Sequence, residues 1–288
     1  MSPAVSIFKP SIQSRVHYEV YRKMPGDSIT RLKEMKRSPL HYRHALKNPK
    51  ESRPLTFGKA IHVAVLEPER FDRDHAVWGE RTDSGRLSPR NGKKWDAFAA
   101  NANGREIITE DQYNEALAIQ AAVRAHAGAM RYLASGDPEV TITGILRGRV
   151  CKGRADWLTT VDGLPILAGL KSARDCRPFI FGSAAAKLGY HLQWAFYRDI
   201  YEQITGRIPR VVEIVVESAP PYDIAVYNVP DDVMEQGREE YEALLDRLAE
   251  CERDNHWPGA VEGEQYLTLP SWAYESADDL SDLGLDLG

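Results

Sequence analysis

The sequence contains few of the residues that stabilise small secreted proteins or anchor a chain in a membrane. Its 288 residues include only Cys151, Cys176 and Cys251, which are too widely spaced to form a CxxC pair. An odd number of distant cysteines argues against a disulfide framework and a four-thiolate metal site, and it suits a reducing compartment. No stretch approaches the roughly 20 apolar residues of a membrane span, and the first residues lack the apolar run of a signal peptide. We therefore expect a cytoplasmic protein with no membrane partner.

Charge is unevenly distributed along the chain. Residues 231–288 carry 17 acidic and 3 basic side chains, whereas residues 1–230 carry 34 basic and 25 acidic ones. The basic excess is densest in residues 31–53. A basic surface attracts polyanions such as nucleic acids, although a solvated helical face explains the same pattern.

Apolar periodicity predicts helices first and strands later. Ser38 followed by Pro39 is typical of a helix start, and Thr109 with Gln112 has the spacing of a capping box. A stretch rich in β-branched residues follows, with Asp162-Gly163 as a hairpin turn. We predict strands at about 139–146, 148–157 and 164–171, helices at about 176–187 and 189–205, strands in RVVEIVVES and YDIAVYNV, and a helix from Pro230 to about Asn255.

This order of elements predicts an α+β fold in one domain. We expect that domain to span residues 1–274, with a mainly helical part to residue 135 and the core from 136 to 274. Residues 1–26 remain unassigned, and residues 79–105 are predicted to be a loop or an irregular insertion. The acidic residues 275–288 are predicted to be a flexible tail.

One face of the strand at 164–171 suggests a reactive site. Side chains alternate across a strand, so position 169 and Lys171 share a face. A carboxylate at 169 would lie beside the Lys171 ammonium, but the residue is Gly169. Asp156, near the end of the preceding strand, can approach the same point. Gly169 also has an ordinary interpretation, because a strand glycine often marks a bulge or a close backbone approach.

Four further residues attract attention by position. His62 lies in a helix that is otherwise apolar, and Glu139 opens the first strand of the meander. Gln193 and Tyr197 are spaced i, i+4 and so share one helical face. Each of these residues alone is commonly a packed or solvated residue, so only the set as a whole indicates a site.

The series of segments resembles a known nuclease family. The chain is similar to the nuclease domain of RecE-type exonucleases (exodeoxyribonuclease VIII), in the RecB-like branch of the PD-(D/E)xK superfamily. The resemblance covers roughly residues 38–273. Its segments are SPLHYRH, FGKAIHVAVLEPERF, GREIITEDQ, GRADW, LPILAGLK, HLQWAFYRDIY and LTLPSWA.

The resemblance implies a PD-(D/E)xK nuclease core, a central mixed sheet flanked by helices, with an N-terminal helical part. It implies that His62 and Asp156 hold Mg²⁺, with Mn²⁺ as a possible substitute, near the backbone carbonyl of Leu170. Lys171 would orient or activate the attacking water. By the same resemblance, Glu139 matches an acid near the metal, and Gln193 and Tyr197 would support the site or touch DNA.

Gly169 departs from the family pattern, because the acid of the D-x-K motif aligns with it. Asp162 and Asp175 do not replace that acid, since one lies in the turn and the other beyond the strand. Two interpretations stay open: a deliberate or selected loss of the acid, and a natural departure or a different register. Both predict weak metal binding and little cleavage, and Gly169→Asp is expected to produce Mg²⁺-dependent digestion of linear duplex DNA.

The resemblance implies an exonuclease that degrades the 5′-ended strand at double-stranded DNA ends. It further implies a homo-oligomeric ring and a single-strand annealing protein as partner. A catalytically degenerate clamp or recruiter on DNA ends is the alternative, and Gly169 favours it. A third hypothesis, an interaction module that uses the acidic tail, leaves the motif series unexplained.

Overall fold

The computed structural model describes residues 8–48 and 56–270, which form one large sheet, one small sheet and the helices around them. The strands are β1 (Ser11–Gln13), β2 (Asp27–Ser28), β3 (His75–Trp78), β4 (Glu106–Thr109), β5 (Asp137–Leu146), β6 (Arg149–Val161), β7 (Leu164–Ala173), β8 (Arg210–Glu217) and β9 (Ile224–Asn228). The helices are α1 (Tyr18–Lys23), α2 (Ile29–Leu32), α3 (Pro39–Lys47), α4 (Thr56–Leu66), α5 (Pro68–Asp74), α6 (Gly92–Ala100), α7 (Glu110–Ala125), α8 (Ala127–Leu133), α9 (Pro178–Leu188), α10 (Tyr190–Thr205) and α11 (Asp231–Asp254), with a 3₁₀ turn (Lys33–Lys36) after α2.

The large sheet is mixed, with the order β1-β5-β6-β7-β8-β9 and with β2 paired to β6. β5, β6 and β7 form an antiparallel meander, in which Asp162 and Gly163, both with positive φ, make the predicted turn between β6 and β7. β7 and β8 run parallel, because α9 and α10 carry the chain back to the starting end of the sheet. The central mixed sheet with its flanking helices confirms the predicted α+β class.

Helices cover both faces of this sheet. On one face, α10 and α11 pack with α2 around buried residues such as Phe196 and Leu167. On the other face, α4, α7 and α8 pack around Ile61, Ala168 and Leu170. Because β7 is covered on both faces, nearly all of its interior side chains are apolar. A charged residue in this layer therefore needs a partner.

Two segments differ from the sequence-based predictions. Residues 79–105, predicted to be a loop, contain α6, and β4 follows and pairs in parallel with β3. Trp95 and Phe98 of α6 pack against Trp78, with ring centroids 5.3 and 5.1 Å apart. This tertiary contact stabilises α6, although the polar sequence of the segment predicts a helix only weakly. Residues 1–26, left unassigned, contribute β1 and α1.

The predicted helix starts are confirmed by their capping bonds. Thr109 Oγ1 accepts from the N–H of Gln112 at 3.1 Å, and Gln112 Oε1 accepts from the N–H of Thr109 at 3.0 Å. Ser38 Oγ likewise accepts from the N–H of His41 at the start of α3. These bonds satisfy backbone donors that the first turn of a helix leaves free.

The three cysteines are buried and unpaired. Within residues 8–48 and 56–270, no helix has the length and apolar character needed to cross a membrane. The tail predicted at 275–288 lies outside the described residues, and the single-domain division stays a prediction.

Candidate active site and metal centre

Asp156 and Lys171 meet where β6 passes β7. Asp156 Oδ2 accepts one hydrogen bond from the backbone N–H of Leu170 and another from Lys171 Nζ, both at 3.0 Å. Lys171 Nζ also donates to the carbonyl of Leu170 at 3.3 Å. Both charged side chains are about 15% exposed. The structure thus brings two of the predicted site residues into a largely buried ion pair.

A local distortion of the sheet brings Glu139 to the same point. β5 and β6 pair in register on either side of Glu139 and Asp156, but these two residues form no bridge. Glu139 has a φ of +52°, which side chains other than glycine rarely adopt and which costs free energy. Its Oε2 lies 2.7 Å from Nε of Arg154. Backbone strain at this position is therefore associated with the placement of a carboxylate in the site.

His62, Glu139 and Asp156 form a cluster suited to a metal ion. Each offers one ligand atom, and the three atoms lie within 4.8 Å of one another. His62 reaches the cluster from α4, and its imidazole interacts electrostatically with Asp156, Lys171 and the backbone of Leu170. Two carboxylate oxygens and one imidazole nitrogen fit Mn²⁺ well, and they fit Mg²⁺ with water in the remaining positions. The predicted ligands His62, Asp156 and Leu170 thus come together, and Glu139 joins them.

The protonation states of this cluster favour a cation. Burial lowers the pKa of His62 despite the nearby Asp156, so its imidazole is neutral and keeps a lone pair. Burial raises the pKa of Glu139 to about 7, against the attraction of Arg154, and Asp156 adds repulsion. Burial would also raise the pKa of Asp156, but Lys171, helped by the backbone N–H of Leu170, lowers it. A divalent cation would relieve the repulsion between the two carboxylates.

Lys171 is held as an ammonium ion. Burial alone would lower its pKa, but Asp156 and Glu213 outweigh burial and raise the pKa above its usual value. Glu213 Oε1 lies 3.5 Å from Lys171 Nζ. Lys171 therefore supplies a positive charge and hydrogen-bond donors, and it does not accept a proton in the metal-free protein.

Position 169 has no side chain, but a neighbouring carboxylate fills its space. Gly169 on β7 lies opposite Glu213 on β8. A Cβ atom built on Gly169 would lie 2.5 Å from Glu213 Oε2 and closer still to Oε1. Asp162 and Asp175 are engaged elsewhere, in ion pairs with Arg131 and Arg177. The carboxylate nearest to position 169 therefore comes from the adjacent strand.

Sequence reasoning missed Glu213, although a signal was present. It is the one charged residue in the apolar run VVEIVV (residues 211–216), and it is 1% exposed. A lone acid in a buried strand is costly unless it is paired, which marks it for inspection. Burial raises the pKa of Glu213, while Lys171 and the indole N–H of Trp194 act in the opposite direction.

Gln193 and Tyr197 line the site from α10. Both border a small cavity together with Asp156, Gly169 and Lys171. The Tyr197 ring packs against Gly153, where an added Cβ would lie 2.5 Å from the ring. Burial raises the pKa of Tyr197, while the backbone of Arg154 acts in the opposite direction. These contacts place both predicted residues next to the ion pair.

Two open grooves meet at Glu139 and Arg154. One, of about 640 Å³, extends past Arg31, and the other, of about 740 Å³, extends past Arg124. Neither Arg31 nor Arg124 forms an ion pair with a carboxylate in the described part of the chain. The grooves are lined by further basic residues: Arg22, Lys23, Arg37 and Lys152 in the first, and Arg15, Arg70 and Arg73 in the second.

Fold and site together define the PD-(D/E)xK class, with an aspartate from one strand, a lysine from the next and a histidine from a helix. The chain belongs to the family described as a PDDEXK-like domain of unknown function (DUF3799), whose model matches residues 28–270. RecE-type identity within this class stays a prediction.

Comparison with solved structures points to the same fold. A crystal structure of an exonuclease candidate from Eubacterium rectale is 17% identical, with a TM-score of 0.59, and the match covers 93% of this chain and 99% of that chain. A crystal structure of SSO0001 is 15% identical, with a TM-score of 0.28, covering 66% of this chain and 85% of that chain. The first match shows a common fold. No curated protein matches this chain.

Proposed function

We propose that this protein is a metal-dependent nuclease that hydrolyses phosphodiester bonds in DNA. The observation that carries the proposal is the convergence of His62, Glu139 and Asp156 within 4.8 Å, next to the buried ammonium of Lys171. Family membership and the common fold with the exonuclease candidate support the same reaction class.

The residues of the site have two proposed roles, metal binding and the orientation of phosphate and water. His62, Glu139, Asp156 and the carbonyl of Leu170 would hold the divalent cation, which in such sites polarises a phosphodiester and stabilises the leaving oxygen. Lys171 donates hydrogen bonds and positive charge toward the reacting phosphate and its attacking water. Because Asp156 fixes Lys171 Nζ at 3.0 Å, the ammonium is oriented before substrate arrives.

The two grooves offer a path for a polyanion. Both are lined by arginines and reach the site through Arg154, so a duplex backbone that crosses them would pass the metal cluster. Unpaired arginines contribute most to such binding, because neutralised phosphates release their counterions. Arg31 and Arg124 are therefore proposed phosphate contacts.

The finer features rest on the RecE-type resemblance. We propose Mg²⁺-dependent attack at double-stranded ends, removal of the 5′-ended strand and release of a 3′ single strand to an annealing protein. The same resemblance supports a homo-oligomeric ring working in the cytoplasm. A clamp that binds DNA ends without cleavage is the second candidate, and Gly169 favours it.

The test compares 5′-labelled and 3′-labelled linear duplexes with a covalently closed circle, each with Mg²⁺, Mn²⁺ or EDTA. Gly169→Asp combined with Glu213→Ala serves as an acid-restored form. The intact chain should consume linear duplex slowly from the 5′ ends, the acid-restored form should do so faster, and both should leave the circle intact. Tight end binding without cleavage by either protein would favour the clamp, and cleavage of the circle would contradict the exonuclease.

A further inference from the structure

Position 169 and position 213 are complementary across two strands. Gly169 is opposite Glu213 in the parallel pairing of β7 and β8, and Asp156 flanks β7 on its other side. The Glu213 carboxylate occupies the volume that a Cβ at position 169 would need. A side chain at position 169 therefore requires the Glu213 carboxylate to move from its present place.

We infer that Glu213 is a further acid of the metal centre, next to Glu139 and Asp156, supplied by β8 in place of the acid that β7 lacks. This inference rests on the proposed function and extends it by naming a residue outside the D-x-K motif. The Glu213 carboxylate has the same two neighbours that a carboxylate at position 169 would have, namely Asp156 and Lys171.

The bonding of Glu213 leaves one oxygen available. Oε2 accepts a hydrogen bond from the indole N–H of Trp194. Oε1 is buried and has no hydrogen-bond partner among the described residues, with Lys171 Nζ 3.5 Å away. The ion pair with Lys171 is long, and buried polar atoms are nearly always hydrogen-bonded in folded proteins, so this oxygen is suited to accept a further ligand or an ordered water.

Space for that ligand exists beside the oxygen. A cavity of about 20 Å³ is bordered by Glu213, Gly169, Asp156 and Lys171. A cavity needs roughly 10–15 Å³ to hold one water molecule. This volume therefore accommodates a single water or ion next to Glu213, Asp156 and Lys171.

The inferred role differs from that of a simple counterion of Lys171. A simple counterion of the Lys171 ammonium would contribute only to the stability of the fold, and Asp156 already provides such a counterion at 3.0 Å. A metal-centre acid also contributes to cation affinity. The two roles separate in a metal titration of folded protein, because Gln at position 213 keeps the shape and the acceptor for Trp194 but removes the charge.

The experiment titrates Mn²⁺ into the intact chain and into Glu213→Gln. Binding is followed by calorimetry and by the electron paramagnetic resonance signal of free Mn²⁺. Glu217→Gln is the matched control, since Glu217 lies on the same strand, accepts a hydrogen bond from Cys176 N and does not border the cavity. We expect Glu213→Gln to weaken Mn²⁺ binding by about 10-fold or more, as losses around metal sites do, and Glu217→Gln to leave it unchanged.

Mn²⁺ binding by Glu213→Gln that equals the binding by the intact chain overturns the inference, and so does an intact chain that binds no Mn²⁺. If Glu213→Gln does not fold, Glu213→Asp replaces it. That change withdraws the carboxylate by one methylene and should weaken binding in the same direction.

Nuclease assays on the same proteins separate this inference from the proposed function. Mn²⁺ affinity that depends on Glu213, without DNA cleavage by any variant, would support the inference and reject the nuclease. Equal cleavage of linear duplex by the intact chain and by Glu213→Gln would support the nuclease and reject the inference.

Discussion

Two carboxylates flank β7, and they differ in hydrogen bonding and in the direction in which their pKa is shifted. Asp156, on β6, accepts hydrogen bonds from a backbone N–H and from Lys171, and its pKa is lowered. Glu213, on β8, has one oxygen that accepts no hydrogen bond from residues 8–48 or 56–270, and burial raises its pKa. Lys171 Nζ is 3.0 Å from Asp156 but 3.5 Å from Glu213, so the weaker contact is on the β8 side, where a further ligand can bind.

Removing the firmly bound carboxylate should have the largest effect. Asp156→Asn takes away a metal ligand and the closest partner of Lys171, so DNA cleavage should fall by about 10²–10³-fold, as it does when a preorganised charge is lost. Initial rates on end-labelled duplex measure the change. Asp162→Asn is the control, because Asp162 is exposed in the hairpin turn and Asn tolerates its positive φ. A rate for Asp156→Asn within 3-fold of the intact chain would reject the site.

Adding an acid to β7 should be destabilising while Glu213 is present. In Gly169→Asp the new Cβ meets the Glu213 carboxylate, and overpacking of this kind costs about 1–3 kcal/mol of unfolding free energy. Thermal unfolding should show a lower Tm for Gly169→Asp than for the intact chain. The double variant with Glu213→Ala should recover most of the loss. A Tm for Gly169→Asp equal to that of the intact chain would contradict this packing.

The predicted loss of stability in Gly169→Asp changes what the sequence alone leads us to expect of this variant. The motif alone predicts that Gly169→Asp simply restores a missing acid. The structure instead predicts that the restored acid needs space, because the pairing of β7 with β8 brings Glu213 to the same place.

Charge in the groove should have a moderate effect. Arg31→Gln removes a cation that pairs with no carboxylate in the described part of the chain. Binding of duplex DNA should therefore weaken several-fold, and the salt dependence of binding should decrease by about one phosphate equivalent. Fluorescence anisotropy at several salt concentrations measures both quantities. Arg253→Gln, which removes an arginine paired with Asp254 on α11, should leave both unchanged. Equal losses in the two variants would indicate a non-specific charge effect.

The pH dependence at Glu139 should be the smallest effect. Its folded pKa, about 7, lies above its ordinary value of 4.5, so the metal-free folded protein binds this proton more tightly than the unfolded chain does. The contribution of Glu139 to stability is therefore present at low pH and is lost as pH rises from about 4.5 to about 7.

Unfolding in EDTA at about pH 5 and about pH 7.5 measures this slope. The intact chain should lose more stability over that interval than Glu139→Gln, which carries no titrating group there. Added Mn²⁺ should stabilise the intact chain more at the higher pH. Identical slopes for the two proteins would show that Glu139 is not held in its protonated form.

Local sequence patterns were sufficient for much of this architecture. Alternation along the meander places Asp156 near Lys171, and the Asp162-Gly163 turn fixes the hairpin between their strands. His62 could be selected because an ionisable residue within an apolar helix face is unusual. These features depend on neighbours in sequence or on adjacent strands joined by short turns.

Other features depend on contacts that no local pattern contains. The proximity of Glu213 to Gly169 follows from the register of two parallel strands joined through two helices. The positive φ of Glu139 is a strained conformation that only the surrounding sheet can impose. α6 is stabilised because Trp95 and Phe98 pack against Trp78, which lies on β3.

The most direct test of the metal centre is crystallographic. Crystals of the intact chain soaked in Mn²⁺ should show an anomalous difference peak within coordination distance of His62, Glu139 and Asp156, at the point where their ligand atoms converge. A fully occupied Mn²⁺ site elsewhere on the protein, with no peak between these three residues, would contradict the account.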